Sequence, residues 1–294
     1  MNLTNPCEVR AIMESHGLQF QKQFGQNFLI SAAIPARIAE QAGECVLEIG
    51  PGIGTLTREL CARAQQVECV EIDRGLIPVL DETLADFDNV RVTNADIMQL
   101  DIAEFVRDRF GGRRITVCAN LPYYITTPVI MALLESGAPI DRITVMVQKE
   151  VAVRLAAAPG SSEYGAVTAA VAWYGCAERL FDVPAGCFVP RPKVDSAVIR
   201  ITLGCGARER VGCCDERLML RLISAAFGMR RKTLLNALGS SFSHFSKEEL
   251  AKIIESAGIS PTVRGERLSV AEYAHLADVM AEWTRNEGTV KMQD

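Results

Sequence analysis

A chain of 294 residues has room for one large α/β domain with a smaller appendage, or for two comparable domains. Hydrophobic residues make up 49% and charged residues 23%, with Gly and Pro scattered, which excludes disordered and fibrous classes. A net charge of −5 argues against a protein that coats nucleic acid indiscriminately, yet Lys and Arg cluster at Arg191/Lys193 and Arg230-Arg231-Lys232, so any RNA affinity is regional.

No apolar run approaches the roughly 18 residues that span a bilayer. The start, Met1-Asn2-Leu3-Thr4-Asn5-Pro6, lacks a basic region followed by an apolar core, so a cytoplasmic location is expected. None of the ten cysteines forms a CxxC pair, and Cys45, Cys69 and Cys118 lie inside apolar runs. Buried, reduced thiols are expected. Cys213-Cys214 has neither a partner pair nor a nearby His, so no metal is expected.

In chain order, the first ~17 and last ~8 residues are candidates for fraying. Short β-branched runs follow at Val46–Ile49, Val67–Ile72, Val90–Val92, Ile115–Val117 and Ile143–Val147, alternating with segments of helical period. That alternation predicts a parallel sheet with crossover helices. After residue 205 only helical segments remain: Glu216–Phe227, Arg231–Leu238, Lys247–Ala257 and Val270–Arg285. A boundary near Gly204-Cys205-Gly206 therefore divides the chain into 1–205 and 206–294. Ser246 with Glu249, and Ser269 with Glu272, read as capping boxes. No heptad seam is visible, so a monomer is expected.

The first strand runs through Glu48-Ile49-Gly50-Pro51-Gly52-Ile53-Gly54 into a helix, and Gly50 and Gly52 let a ligand approach the backbone. Thr55 stands where a dinucleotide fingerprint would place its third glycine, so pyrophosphate binding is disfavoured; a tight turn without a ligand is the alternative. Glu71 ends the next strand, where an acid takes ribose hydroxyls. Asp96 follows the third strand; it either accepts from an adenine amino group or caps the helix over 101–109. The three strand ends together describe a nucleoside pocket at the carboxyl edge of the sheet.

After the fourth strand comes Ala119-Asn120-Leu121-Pro122-Tyr123-Tyr124-Ile125-Thr126-Thr127-Pro128. The lone pair of an adenine N6 is delocalised into the ring, so an enzyme that alkylates it must hold the amine out of plane. The Asn120 side-chain carbonyl and the Leu121 backbone carbonyl can each accept one N–H, and Tyr123 offers a face on which an extruded base stacks. The alternative is an Asn-x-Pro turn with core tyrosines. Thr126, Thr127 and Pro128 are assigned mainly to helix capping. None of His16, His244 and His275 lies near these motifs.

Prolines 190 and 192 stiffen an extended turn that holds Phe188 near the pocket mouth, facing Tyr123 across a base, with Arg191 and Lys193 outward. A Phe covering the sheet edge is the alternative. Arg230-Arg231-Lys232 begins a helix and suits phosphate contacts, or simply forms a solvated charged face.

Six segments together resemble one family, the ribosomal RNA adenine dimethyltransferases of the bacterial KsgA type: Phe24–Leu29, Gly50–Thr57, Glu71–Asp73, Asn120–Pro128, Phe188–Ser196 and Phe227–Asn236. They run in the family's order from residue 22 to about 275. The resemblance implies a class I methyltransferase fold, Rossmann-like with a mostly parallel sheet and one antiparallel strand, plus a smaller C-terminal all-helical domain. It implies S-adenosylmethionine (SAM) as methyl donor, held by Asn27, Leu29, Gly50, Gly52, Glu71, Asp96 and Asn120. The target adenine would meet Asn120, Leu121, Pro122, Tyr123 and Phe188, while Lys22, Arg191, Lys193, Arg230, Arg231 and Lys232 would contact RNA. The implied activity is dimethylation of N6 on two neighbouring adenosines near the 3′ end of 16S rRNA in the small ribosomal subunit, during ribosome assembly. Three rivals share parts of this pattern: a large-subunit rRNA methyltransferase of the macrolide-resistance type, an RNA- or DNA-binding factor without chemistry, and a small-molecule N-methyltransferase.

Overall fold

The computed structural model describes residues 1–18 and 26–290. The chain divides into two compact units, Met1–Ala152 with Ala177–Leu203, and Val153–Cys176 with Gly204–Asp294.

In the first unit, Asn5 caps α1 (Pro6–Ser15), accepting from the Cys7 amide at 2.9 Å. This corrects the expectation of a frayed start. Val9, Ile12 and Met13 recur at helical spacing and are buried with Phe28, Ile53, Leu76 and Val79. There follow β1 (Phe28–Leu29), α2 (Ala33–Ala39), β2 (Cys45–Ile49), α3 (Thr55–Cys61), β3 (Gln66–Glu71), α4 (Ile77–Thr83), β4 (Val90–Asn94), α5 (Ile102–Phe110), β5 (Ile115–Asn120), α6 (Thr126–Glu135), β6 (Ile140–Gln148) and α7 (Lys149–Leu155). After α8 (Ala166–Tyr174) come β7 (Gly175–Val183), β8 (Phe188–Val189) and β9 (Ser196–Leu203).

The seven-stranded sheet has the order β4-β3-β2-β5-β6-β9-β7, and β1 pairs with β8 in a separate two-stranded ribbon. All five residues of β2 are buried, as expected of a central strand covered on both faces. The pairs β2–β3, β3–β4, β2–β5 and β5–β6 are parallel, while β9 runs antiparallel to β6 with Gln148 opposite Ser196. From β2 the chain steps outward through β3 and β4, then returns to β5 on the other side. A crevice therefore opens between the ends of β2 and β5, the switch point where open α/β sheets take ligands. Four strands lie beyond the five expected: β1 and β8 have two residues each, β7 carries Glu178, Arg179 and Asp182, and β9 is apolar on one face only, with Ser196, Arg200 and Thr202 on the other.

The second unit collects α8 with α9 (Ala207–Val211), α10 (Glu216–Gly228), α11 (Leu234–Ser241), α12 (Lys247–Ser256) and α13 (Val270–Val290). It differs from an expected split at 205/206 because Val153–Cys176 belongs to it. The α8 sequence AVTAAVAWY is apolar all round and needs burial on every side; α8 packs with α10 and α13, and Trp173 is fully buried. Both expected capping boxes form: the Glu249 and Glu272 amides donate to the Ser246 and Ser269 hydroxyls at 3.1 and 3.3 Å, and the Ser amides donate back to the Glu carboxylates. The helix expected from Arg231 begins at Leu234, with Thr233 as its cap, so Arg230–Lys232 lie in the turn after α10. All ten cysteines are free, but only Cys45, Cys61, Cys69 and Cys118 are buried; Cys7, Cys176 and Cys214 are exposed, contrary to a uniformly buried set. Among the described residues no helix is long and apolar enough to cross a membrane.

Two glycines of the second unit should respond oppositely to a methyl group. At Gly265 a Cβ would stand 2.5 Å from the Tyr273 hydroxyl and 2.6 Å from the Ala226 methyl, whereas at Gly239, inside α11, the nearest atom is 3.9 Å away. Gly265→Ala should cost about 1–3 kcal/mol of stability, and Gly239→Ala should add about 0.5–1 kcal/mol. Urea midpoints of the two variants check both signs.

Candidate active site at the sheet switch point

A cavity of about 230 Å³ opens at the ends of β2, β3, β4 and β5. Its floor is the turn from β2 to α3, where Gly50 and Gly52 hold φ of 68° and 63°, a left-handed conformation that side chains resist. A Cβ on Gly50 would meet nothing within 4 Å, so the bare backbone faces open space, while one on Gly52 would stand 3.0 Å from the Phe28 ring.

Glu71 ends β3 at 4% exposure. One carboxylate oxygen accepts from the Asp73 amide at 2.8 Å and the other from the Gly52 amide at 3.2 Å. Burial pushes its pKa up and these two bonds pull against that shift. A carboxylate has about four acceptor positions, so the two backbone bonds leave room for a ligand diol. Asp73 accepts from the Gly75 amide at 3.0 Å and from the Gln26 side chain at 2.7 Å, joining the segment before β1 to the turn after β3. Sequence reasoning gave neither Gln26 nor Asp73 a role; their only signal was membership of motif segments.

Asp96 lines the cavity, and its side chain accepts from Met98 N at 2.9 Å and from the Gln99 amide group at 3.2 Å. The helix that it was a candidate to cap is capped instead by Asp101, one residue ahead of Ile102, through Glu104 N at 2.9 Å. Ile72 and Met98, 46% and 43% exposed, give the cavity two apolar walls beside these acids.

Asn120 closes β5, and its side-chain N–H donates to the Asn27 carbonyl at 3.1 Å. That bond assigns the amide orientation and leaves the Asn120 Oδ1 as the acceptor. Leu121 is buried, and its amide donates to the Met146 carbonyl at 3.3 Å. Thr126, expected to cap α6, instead donates its hydroxyl to the Pro122 carbonyl at 3.1 Å and tightens the turn; the cap position is Ile125. Tyr123 lines the cavity half-buried, with its hydroxyl 2.8 Å from Ser196 Oγ. Asn27, Leu29, Gly50, Gly52, Glu71, Asp96, Asn120, Leu121, Pro122 and Tyr123 thus share one cavity.

Phe188 does not join them. It is 3% exposed in the core with Leu29 and Val198, because pairing opposite Leu29 in the β1–β8 ribbon turns its side chain inward. This is the sheet-covering alternative rather than a second stacking face. Arg191 and Lys193 are exposed. Arg231 and Lys232 are exposed as well, but Arg230 is engaged, paired with Glu266 and donating to the carbonyls of Ser161 and Ser162 at 3.3 and 2.6 Å. Lys22, with Phe24 and Gly25, lies outside the described residues.

The ribosomal RNA adenine dimethylase family matches residues 17–282. The chain belongs to that family. A ribosomal RNA small subunit methyltransferase A from Lachnoclostridium phytofermentans is 47% identical over 95% of this chain and 98% of its own length. A protein of the same name from Streptococcus pneumoniae is 44% identical over 95% and 98%. Among solved structures, a dimethyladenosine transferase from Plasmodium falciparum matches with a TM-score of 0.66 at 21% identity, covering 97% of this chain and 98% of that one, a likeness of fold. The 23S rRNA methyltransferase ErmE matches with a TM-score of 0.61 at 26% identity, covering 87% and 100%.

One group of this dimethylase that the motifs did not single out is Glu48, in the middle of β2 at 1% exposure on the cavity's inner wall. Burial pushes its carboxyl up to about 8, the polar side chains of Thr57 and Cys69 lower it in part, and the charge of Glu71 raises it further. An unfolded chain releases this proton near 4.5 and the native one near 8, so between those values the native state holds the extra proton. Stability therefore falls as pH rises through the window, by up to about 1.4 kcal/mol per pH unit. Glu48→Gln should make the slope of unfolding free energy between pH 4.5 and 8 clearly shallower, read from urea titrations at several pH values.

Proposed function

We propose that the cavity binds SAM and presents its methyl group to the N6 of an adenine held by the Asn120–Tyr123 turn, dimethylating two adjacent adenosines near the 3′ end of 16S rRNA in the small ribosomal subunit. The observation that carries this reading is the Asn120 amide, oriented by the Asn27 carbonyl so that its oxygen is the free acceptor at the cavity mouth.

The donor fits the residues present. The bare backbone at Gly50 admits a ligand against the turn, Glu71 keeps acceptor capacity for ribose hydroxyls, and Ile72 and Met98 offer apolar faces for a flat base next to Asp96. When bound, SAM supplies a methyl on a positively charged sulfur, so the reaction needs geometry more than an activated base. The Asn120 and Leu121 carbonyls accept the amine N–H groups, two before the first transfer and one before the second, and turn the nitrogen lone pair out of the base plane. The proton displaced from nitrogen in each transfer passes to solvent. Tyr123 supports the base by stacking, and Leu121 and Pro122 hold the turn that aims it.

Exposed Arg191 and Lys193 in the first unit, and Arg231 and Lys232 in the second, contact phosphates without reading sequence. Relatives at 42–47% identity carry the small-subunit name, against 26% for the 23S enzyme, which favours the small-subunit substrate over the resistance-type reading.

Asn120→Ala should lower methyl transfer by about 10²-fold or more, the scale of losing one aligned polar contact to the reacting group, with the fold retained and stability lowered by at most about 1.5 kcal/mol for the lost bond to Asn27. The assay follows labelled methyl from SAM into small subunits lacking adenine dimethylation, with digestion to N6,N6-dimethyladenosine; near-normal turnover would sink the role given to Asn120. Replacing Arg231 and Lys232 together by Ala should weaken subunit binding and flatten its dependence on log salt concentration by about one to two units. Arg230→Ala should instead lower stability, because its guanidinium is committed to Glu266 and the Ser161 and Ser162 carbonyls.

A further inference from the structure

Ser196 is the first residue of β9, fully buried opposite Gln148 of β6. The residue before it is fastened on two sides. The Asp195 backbone carbonyl accepts from the Lys149 amide at 3.0 Å, and its carboxylate accepts from the Ala185 amide at 2.9 Å. The end of β6, the start of β9 and the loop before β8 are thereby joined, and Ser196 stands on that joint. Its hydroxyl lies 2.8 Å from the phenol of Tyr123.

Tyr123 belongs to a different segment, the turn between β5 and α6, and its ring is half-buried on the cavity wall. An aromatic side chain anchored only at Cα can swing about two torsions. One also bonded at its far end has a fixed plane. Phe188 has turned into the core and offers no opposing ring, so the orientation of Tyr123 decides how a base settles against the turn.

We propose that Ser196 is a positioning residue for methyl transfer, its hydroxyl setting the plane of the Tyr123 ring against which the target base stacks. This rests on the reading of the Asn120 turn as the base site. Burial, and to a lesser degree the negative charge of Asp195, raise the Tyr123 pKa, so the phenol keeps its proton and the bond persists at neutral pH. The role lies with the ring and not with the donor pocket, so it predicts a separation of effects. Loss of the bond lowers turnover and leaves SAM affinity alone.

The test compares wild type, Ser196→Ala, Tyr123→Phe and the double variant in steady-state methyl transfer to small subunits lacking dimethylation, with SAM affinity measured by calorimetry. Tyr123→Phe keeps the ring and removes only the hydroxyl. Each single change should lower kcat by about three- to tenfold, the effect of one neutral hydrogen bond, with unchanged SAM affinity, and the double variant should be no slower than the slower single. Losses that multiply, a Tyr123→Phe enzyme with wild-type kcat, or a fall confined to SAM affinity would overturn the role. Should Ser196→Ala fail to fold, the kcat of Tyr123→Phe decides alone. Wild-type enzyme without activity on these subunits would overturn the reading of the base site, and the role of Ser196 with it; active wild type with indifferent variants overturns only the latter.

Discussion

A single carboxylate holds the two turns that make the pocket. Glu71 reaches from the end of β3 to the Gly52 amide in the neighbouring turn, and also takes the Asp73 amide of its own turn. A carboxyl at 4% exposure is costly without partners, and here two backbone donors supply them. The left-handed glycines make the first turn possible, but a permissive backbone is also a loose one. The Glu71 bond removes that looseness on one side, and contact between Gly52 and the Phe28 ring limits it on the other. Everything a nucleoside would touch at this end of the sheet is referred to that anchor.

Glu48 and Glu71 show how position along adjacent strands divides similar groups. Both side chains are buried, but Glu71 sits at a strand end where backbone amides are free, while Glu48 lies in mid-strand, where the ladder has already used them. Only side chains remain for Glu48: the Cys69 thiol donates to its carboxylate at 3.6 Å, and the Thr57 hydroxyl stands nearby. Weak donors offset desolvation poorly, so the carboxyl stays protonated to about pH 8. The thiols around it follow the same physics; burial raises Cys61 and Cys118 to about 12. The Glu48 part of the cavity wall is thus uncharged at neutral pH.

The legible parts of this fold were those whose physics is local. Strands β2, β3, β5 and β6 announce themselves by β-branched runs because they are covered on both faces, the edge strand β4 keeps its Val90 and Val92 although half-exposed, and the glycine turn and capping boxes are read within a few residues. What escaped depends on neighbours far along the chain. Strand β7 carries three charged residues in nine, so no hydrophobic run marks it, and α8 falls inside the stretch expected to belong with the sheet, although its all-round apolar surface packs with α10 and α13. The same limit applied inside the site. The prolines after Phe188 stiffen the chain and point to the pocket, yet its direction is set by pairing with Leu29, 159 positions earlier in the chain. Arg230 reads like its two neighbours in sequence, and its bonds to Glu266, Ser161 and Ser162 distinguish it.

The Asn120 turn makes the point from the side of chemistry. Its short motif recurs easily, and nothing in ten residues obliges an amide oxygen and an aromatic plane to converge on one point. Here the convergence is imposed from outside: Asn27 orients the Asn120 amide across 93 positions, Ser196 fixes the Tyr123 hydroxyl across 73, and the Met146 carbonyl seats the Leu121 amide from the adjacent strand. Each of these braces arrives on a different element, β1's leading segment, β9 and β6, and each is in place only when the sheet has assembled in its observed order. Preorganised acceptors act on a reacting amine without rearrangement during the reaction. On the proposed reading, the geometry needed at N6 belongs to the assembled sheet, and an isolated copy of the motif carries the residue types without that arrangement.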